Sequence, residues 1–203
     1  MMSTDSSALK VMELFSPPPR VTAEILEGQR EGLYQTLFVT TPSSYDLETG
    51  WDFFNVNDRR QFWKDLAQQD PDVVIMTPEC KGFSCLMNVN WDRMSSAERK
   101  ELETRAMVMF QFCIQVAEHR IRRGKFFVLE QPDKVTSWNT HAARWLSKQR
   151  EVLHLSFDQC AAGLQVSEEG WSRKRISFTC STTLESATSF RGCNVQETIH
   201  TFV

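Results

Sequence analysis

The chain has 203 residues, 41% of them hydrophobic and 24% charged, and a formal net charge of -3. That length suits one domain with a sizeable core, and the composition is that of an ordinary globular protein. It excludes a global attraction to nucleic acid, so any such contact has to come from local patches; it also contains no apolar run long enough to cross a bilayer.

Residues 1–9 read as a flexible tail and 10–203 as a single domain. "MMSTDSSALK" lacks the basic start and apolar core of a secretory signal, so an intracellular chain with reduced thiols is expected. "LKVMELF" (Leu9 to Phe15) reads as a strand, stopped by "SPPPR" because prolines cannot continue a ladder. "VTAEILEGQREG" (Val21 to Gly32) is helix-like, with Gly32 as its stop. "YQTLFVT" reads as a second strand and "PSSYDLETGWD" as loop. "NDRRQFWKDLAQQDP" predicts a helix capped by Asn57 or Asp58 and ended by Pro71. "DVVIM" is apolar on both faces, the pattern of a central parallel strand.

Ser95 and Glu98 form an S-x-x-E capping box that starts the clearest helix. Leu102, Ala106, Met109, Cys113 and Val116 follow at helical spacing, and Gly124 ends it. "KFFVLE" predicts the next strand and "SWNTHAARWLSKQR" another helix. "EVLHLSFD" and "KRISFTCS" are late strands whose connection is too short and polar for a crossover helix, so they are expected to pair antiparallel. Strand and helix alternate up to that pair. The expected fold is α/β: a doubly wound, mostly parallel, Rossmann-like sheet with a terminal antiparallel hairpin. Ligands of such sheets bind outside the carboxyl ends of the strands.

Six cysteines stand at 80, 85, 113, 160, 180 and 193 without a CxxC pair, and the four histidines are scattered, so no metal site is expected. "TPECKGFS" places Cys80 just past a strand end, between Glu79 and Lys81. A neighbouring cation favours the thiolate, a neighbouring acid opposes it, and a free cysteine is more commonly a small packed hydrophobe. Glu130 ends "FFVLE", where a carboxylate is costly unless paired or functional. Arg173 and Arg175 alternate in "SRKRISFT", which puts both on one face. With "HRIRRGK" (His119 to Lys125), "SRKR" is one of two local basic patches, and each reads equally as solvated surface.

Together these residues resemble the cytosine-5 DNA methyltransferase family. "PECKGFS" is similar to its "PPCQxFS" nucleophile loop, with Pro78, Cys80, Phe83 and Ser84 in register. "LEQP" is similar to its "ENV" or "ENP" element, "SRKRISF" to its "QxRxR" element, and "MELFS" to its opening "DLFxG". The resemblance covers roughly residues 9 to 181, with the elements in the family's order. It implies a class I methyltransferase fold that moves a methyl group from S-adenosylmethionine to cytosine in nucleic acid, with DNA ahead of RNA and RNA left open. It implies that Cys80 attacks C6 of a flipped-out base. Glu130 would bond N3 and the exocyclic amine, and Arg173 and Arg175 would hold the base oxygen and the Cys80 loop. The cofactor would lie by Phe15, Ser16 and Pro78, with Asp46 or Asp52 for polar contacts.

The chain departs from that family where "SPPPR" replaces a glycine-rich first loop, because prolines remove backbone donors. Lys81, Glu79, Gln131 and Trp171 also stand where the family has other residues. Only 22 residues follow Ser181, against the large target-recognition region of the family, which implies a partner chain for target recognition. Two other readings stay open: a catalytically inactive methyltransferase-fold module of mobile-element origin that binds or scaffolds, and a different α/β protein in which Cys80 is structural.

Overall fold

The structure is a computed structural model that describes residues 9–16, 18–33, 37–39, 44–84, 93–158, 165–167, 170–171 and 175–181. The chain divides into two compact units, Met1–Ile75 and Met76–Val203.

In the first unit, β1 (Leu9–Leu14) is followed by α1 (Arg20–Arg30), β2 (Leu37–Val39), α2 (Val56–Gln69) and the start of β3 (Val73–Met76). The strand order is β2-β1-β3. β1 and β2 run parallel, Leu9 opposite Leu37 and Val11 opposite Val39. The ladder resumes with a parallel bridge between Leu14 and Tyr45. The start of β3 is tied to the start of β1: the Asp72 N–H donates to the Lys10 carbonyl at 2.8 Å, and the Lys10 N–H to the Asp72 carboxylate at 2.9 Å. Starts beside starts make this pair parallel as well. Val74, Ile75 and Met76 are all buried, so β3 is covered on both faces as its unbroken apolar run predicts.

The helix ends follow local chemistry. Gly32, at φ +75°, turns the chain after α1 as expected. The cap of α2 is Asn55, whose side chain accepts from the Asn57 N–H at 2.9 Å. This corrects the expected cap at Asn57 or Asp58: Asn55 is extended and lies outside the helix, where a capping side chain can fold back. Phe62 and Leu66 are the buried residues of α2.

In the second unit, β3 ends at Met76 and is followed by α3 (Ser96–Arg122), β4 (Phe126–Pro132), α4 (His141–Leu146), β5 (Val152–Asp158), β6 (Gln165–Ser167), β7 (Gly170–Trp171) and β8 (Arg175–Ser181). The predicted capping box is present. The Ser95 hydroxyl accepts from the Glu98 N–H at 3.2 Å, and the Glu98 carboxylate accepts from the Ser95 N–H at 2.7 Å. The Ser95 hydroxyl also donates to that carboxylate at 2.8 Å, and this bond first, then the one from the Ser95 N–H, holds the Glu98 carboxyl below its ordinary value. Ala106, Phe110, Cys113, Val116 and Ala117 line the buried stripe of α3, and burial pushes the Cys113 thiol well up. The predicted helix over "SWNTHAARWLSKQR" is instead a 3-10 turn, Thr136–Asn139, followed by the six-residue α4. Thr140 breaks it: its backbone is extended and its hydroxyl accepts from the Ala143 N–H at 3.2 Å. A cap in mid-segment starts a new helix.

The two late strands pair antiparallel as expected, Val152 opposite Ser181 through Asp158 opposite Arg175. β8 also pairs antiparallel with β4, Val128 opposite Cys180 through Pro132 opposite Ile176. β8 thus lies between β4 and β5, which share one direction. The short antiparallel pair β6–β7 lies within the connection between β5 and β8.

Candidate functional site

After β3 the chain runs through buried Pro78 into a 3-10 turn, Lys81–Phe83. Cys80 leads that turn at φ -95°, ψ -3°, in the sparsely allowed bridge region where active-site residues recur. Its carbonyl accepts from the Phe83 N–H at 2.9 Å, and the residue is half-buried. Gly82 is required by proximity. A Cβ there would stand 2.5 Å from the Ala106 Cβ and 2.9 Å from the Leu102 carbonyl oxygen of α3. Phe83, buried, meets Phe110 edge-on at 5.7 Å between ring centres, and Phe110 meets Trp138 at 6.0 Å. One side of the turn is thus anchored on α3, while Cys80 keeps partial access to solvent.

The two charged neighbours of Cys80 bind each other. Lys81 Nζ lies 2.7 Å from Glu79, both well exposed, and the hydrogen bond to Glu79 raises the lysine's pKa most. An exposed pair of this kind contributes little to stability. The cation that the sequence places beside the thiol is therefore shared with the adjacent acid.

Along β4 the burial alternates: Phe127, Leu129 and Gln131 are buried, Phe126, Val128 and Glu130 partly exposed. Successive strand residues face opposite ways, so Glu130 and Gln131 emerge on opposite faces of the same strand end. Gln131 Nε2 donates to the Pro78 carbonyl. This bond joins the residue after Glu130 to the residue two before Cys80. The ladder brings in a third candidate: Ile176 is opposite Pro132, so Arg175 sits at the carboxyl end of β4 at the first position of β8. Cys80, Glu130 and Arg175 all belong to the second unit. Arg173 lies outside the described residues.

Of the cofactor-side candidates, Phe15, Ser16, Asp46 and Asp52 belong to the first unit, and Pro78 to the second. Phe15 has φ +59°, a left-handed conformation that costs a residue with a large side chain about 1–2 kcal/mol. It is held by the bond from its N–H to the Tyr45 carbonyl at 3.0 Å. Its ring is buried edge-on against Phe53, 4.7 Å between centres. The Ser16 N–H donates to the Ser44 hydroxyl at 3.2 Å. Asp46 follows Tyr45 at the carboxyl end of the β2 ladder, and its carboxylate accepts from the Glu48 N–H at 2.9 Å. Asp52 accepts from the Phe54 N–H at 2.9 Å. Tyr45 is pushed up to about 12 by burial, with the charge of Asp65 adding to the shift.

One residue here escapes sequence reasoning. Glu13 is 1% exposed at the next-to-last position of β1, and its two carboxylate oxygens accept the Val21 N–H at 3.2 Å and the Thr22 N–H at 2.9 Å. The signal is an acid inside an otherwise buried run, which has to be satisfied by something. Here it is satisfied by the first turn of α1, whose free N–H groups and dipole favour an anion. That turn is where an incoming anionic group would bind in a fold of this kind. The prolines at 17, 18 and 19 supply no N–H, and of the four other amides from Ser16 to Thr22 three, those of Ser16, Val21 and Thr22, are already bonded. The donor set of this loop does not fit the amino-acid end of S-adenosylmethionine.

The basic stretch "HRIRRGK" belongs to the far end of α3. Arg120 is fully buried, and Arg122 is paired with Glu118. The helix rise puts Arg122 about 24 Å along the axis from Ala106, which backs the Cys80 turn. Among the described residues no cluster of acids, histidines and cysteines is placed to hold a metal ion, and no helix is long and apolar enough to cross a membrane.

No family model matches the chain, and no curated protein matches it. Among solved structures it is similar to a human methyltransferase 10 domain-containing protein, with a TM-score of 0.42 and 8% identity over 90% of this chain and 75% of that one. It is also similar to a delta-N METTL16 methyltransferase domain, with a TM-score of 0.41 and 9% identity over the same shares. At these scores the likenesses carry no weight for activity.

Proposed function

We propose that the chain is a cytosine-5 methyltransferase-like domain that engages a pyrimidine base of nucleic acid, DNA before RNA, through Cys80 and Glu130. The observation that carries this reading is the bond from Gln131 to Pro78, which ties the Cys80 turn to the strand end that bears Glu130. The position of Arg175 beside that strand end supports it.

The chemistry asks for a thiolate at Cys80. Its sulfur forms a bond to C6 of the cytosine, the C5–C6 electron pair moves onto C5, and the developing negative charge is met at N3 by a proton that Glu130 holds. Arg175, with Arg173, suits a base oxygen because a guanidinium offers several donors in one plane. The step leaves C5 electron-rich, which is its purpose in a methyl transfer. S-adenosylmethionine is the donor that the family resemblance implies for such a transfer, although the β1–α1 loop does not fit its amino-acid end. A partner chain would supply target recognition.

A second reading has its own observation. With Glu13 filling the first turn of α1, the domain binds a base without a methyl donor and acts as an inactive recognition module. Two measurements separate the two. DNA carrying 5-fluorocytosine is expected to form a covalent adduct that Cys80→Ser abolishes; no adduct on duplex or single strands would overturn the enzymatic reading. Calorimetry with S-adenosylmethionine is expected to show binding under the first reading, and its absence at millimolar concentration selects the second.

A further inference from the structure

The segment that follows Glu130 holds the Cys80 turn at two points. Gln131 is fully buried and donates from Nε2 to the Pro78 carbonyl, while its Oε1 faces the Ser137 hydroxyl at 3.4 Å. Ser137 is fully buried too. The Thr136 hydroxyl lies 3.4 Å from the Phe83 carbonyl. The two carbonyls bracket Cys80, two residues before it and three after. Pro78 has no N–H, so its carbonyl is its one backbone hydrogen-bonding group. Pro78 is buried, and a buried carbonyl left without a partner costs about 1–3 kcal/mol. The Gln131 amide fills that need, and the Ser137 hydroxyl beside Oε1 fixes which way the amide points.

We propose that Gln131 and Ser137 are positioning residues for the Cys80 thiol, setting where it stands relative to Glu130 on the opposite face of the same strand end. The proposal rests on the reading of Cys80 as the nucleophile. Glutamine suits this role by length and by polarity. Asparagine is one methylene shorter and withdraws the donor from the carbonyl. Glutamate, ionised, presents an acceptor to an acceptor. Methionine keeps the length and loses the donor.

The test compares the pH profile of Cys80 alkylation by iodoacetamide, read by mass spectrometry of the Cys80 peptide, with adduct formation on 5-fluorocytosine DNA. Thermal unfolding of each protein is measured alongside. Gln131→Met is expected to shift the alkylation profile and to cut the adduct rate about a hundredfold, the scale of an ångström-size misplacement of a reacting group. Ser137→Ala is expected to do the same to a smaller extent. If Gln131→Met does not fold, Gln131→Asn and Ser137→Ala carry the test. Unchanged alkylation profiles in folded variants would overturn the positioning role. Profiles that shift in variants of a protein forming no adduct even in its natural sequence would keep the positioning role and overturn the functional reading instead.

Discussion

The loops after β1 and after β3 have opposite fates, although both leave the carboxyl end of a strand. The β1–α1 loop is closed by the chain itself, with three prolines, a buried Phe15 and a Glu13 carboxylate on the helix amides. The turn after β3 is held from behind by α3 and by Gln131, and leaves Cys80 half-exposed. A loop can be rigid because its polar groups are spent internally, or rigid so that one group is presented. Only the second kind is ready for an external ligand.

The largest expected effect lies at Glu13. Glu13→Leu leaves two buried N–H groups of α1 without an acceptor, and a loss of about 3 kcal/mol is expected in urea unfolding. A loss below about 1 kcal/mol would show that the carboxylate is not what closes the loop. Gly82→Ala tests the other loop. The added methyl meets Ala106 at 2.5 Å, and overpacking of this kind costs about 1–3 kcal/mol. The thiol of Cys80 should alkylate faster in the variant as the turn is pushed off α3; an unchanged melting temperature and rate would remove the backing role of that helix.

The smallest effects lie in pH. Tyr45, raised to about 12, adds stability that is fully present below its unfolded value, about 10, and is lost as pH rises through 12. Glu98 is lowered, so its contribution is present above its unfolded value and is lost as pH falls through the folded one. Denaturant midpoints across both ranges should therefore fall first in alkali for Tyr45 and in acid for Glu98. Tyr45→Phe should flatten the alkaline limb alone, and Ser95→Ala the acid limb alone.

Much of the fold was legible because local and tertiary signals agree. The unbroken apolar run of β3, the Ser95–Glu98 box and the glycine at 124 with φ +62° each do what their chemistry says. The break at Thr140 was missed because apolar spacing continues across it, while a single hydroxyl sets the boundary. Of the site, Cys80 and Glu130 could be picked out as reactive types at strand ends. Glu13 and Gln131 could not, since their roles are bonds to backbone groups eight and 53 residues away. Both nevertheless left a trace, a polar side chain at a position whose neighbours by period two or by run are apolar.

The insertion of β8 between β4 and β5 has a consequence for how the protein is made. β4 and β5 leave the ribosome first, and the strand that separates them is synthesised after both. A slip of one residue of β8 in the β4–β8 ladder would turn the side chains of β8 itself to the other face, while β4 keeps its own through its buried residues. The nascent chain therefore carries Cys80 and Glu130 before the strand that brings Arg175 beside them is made.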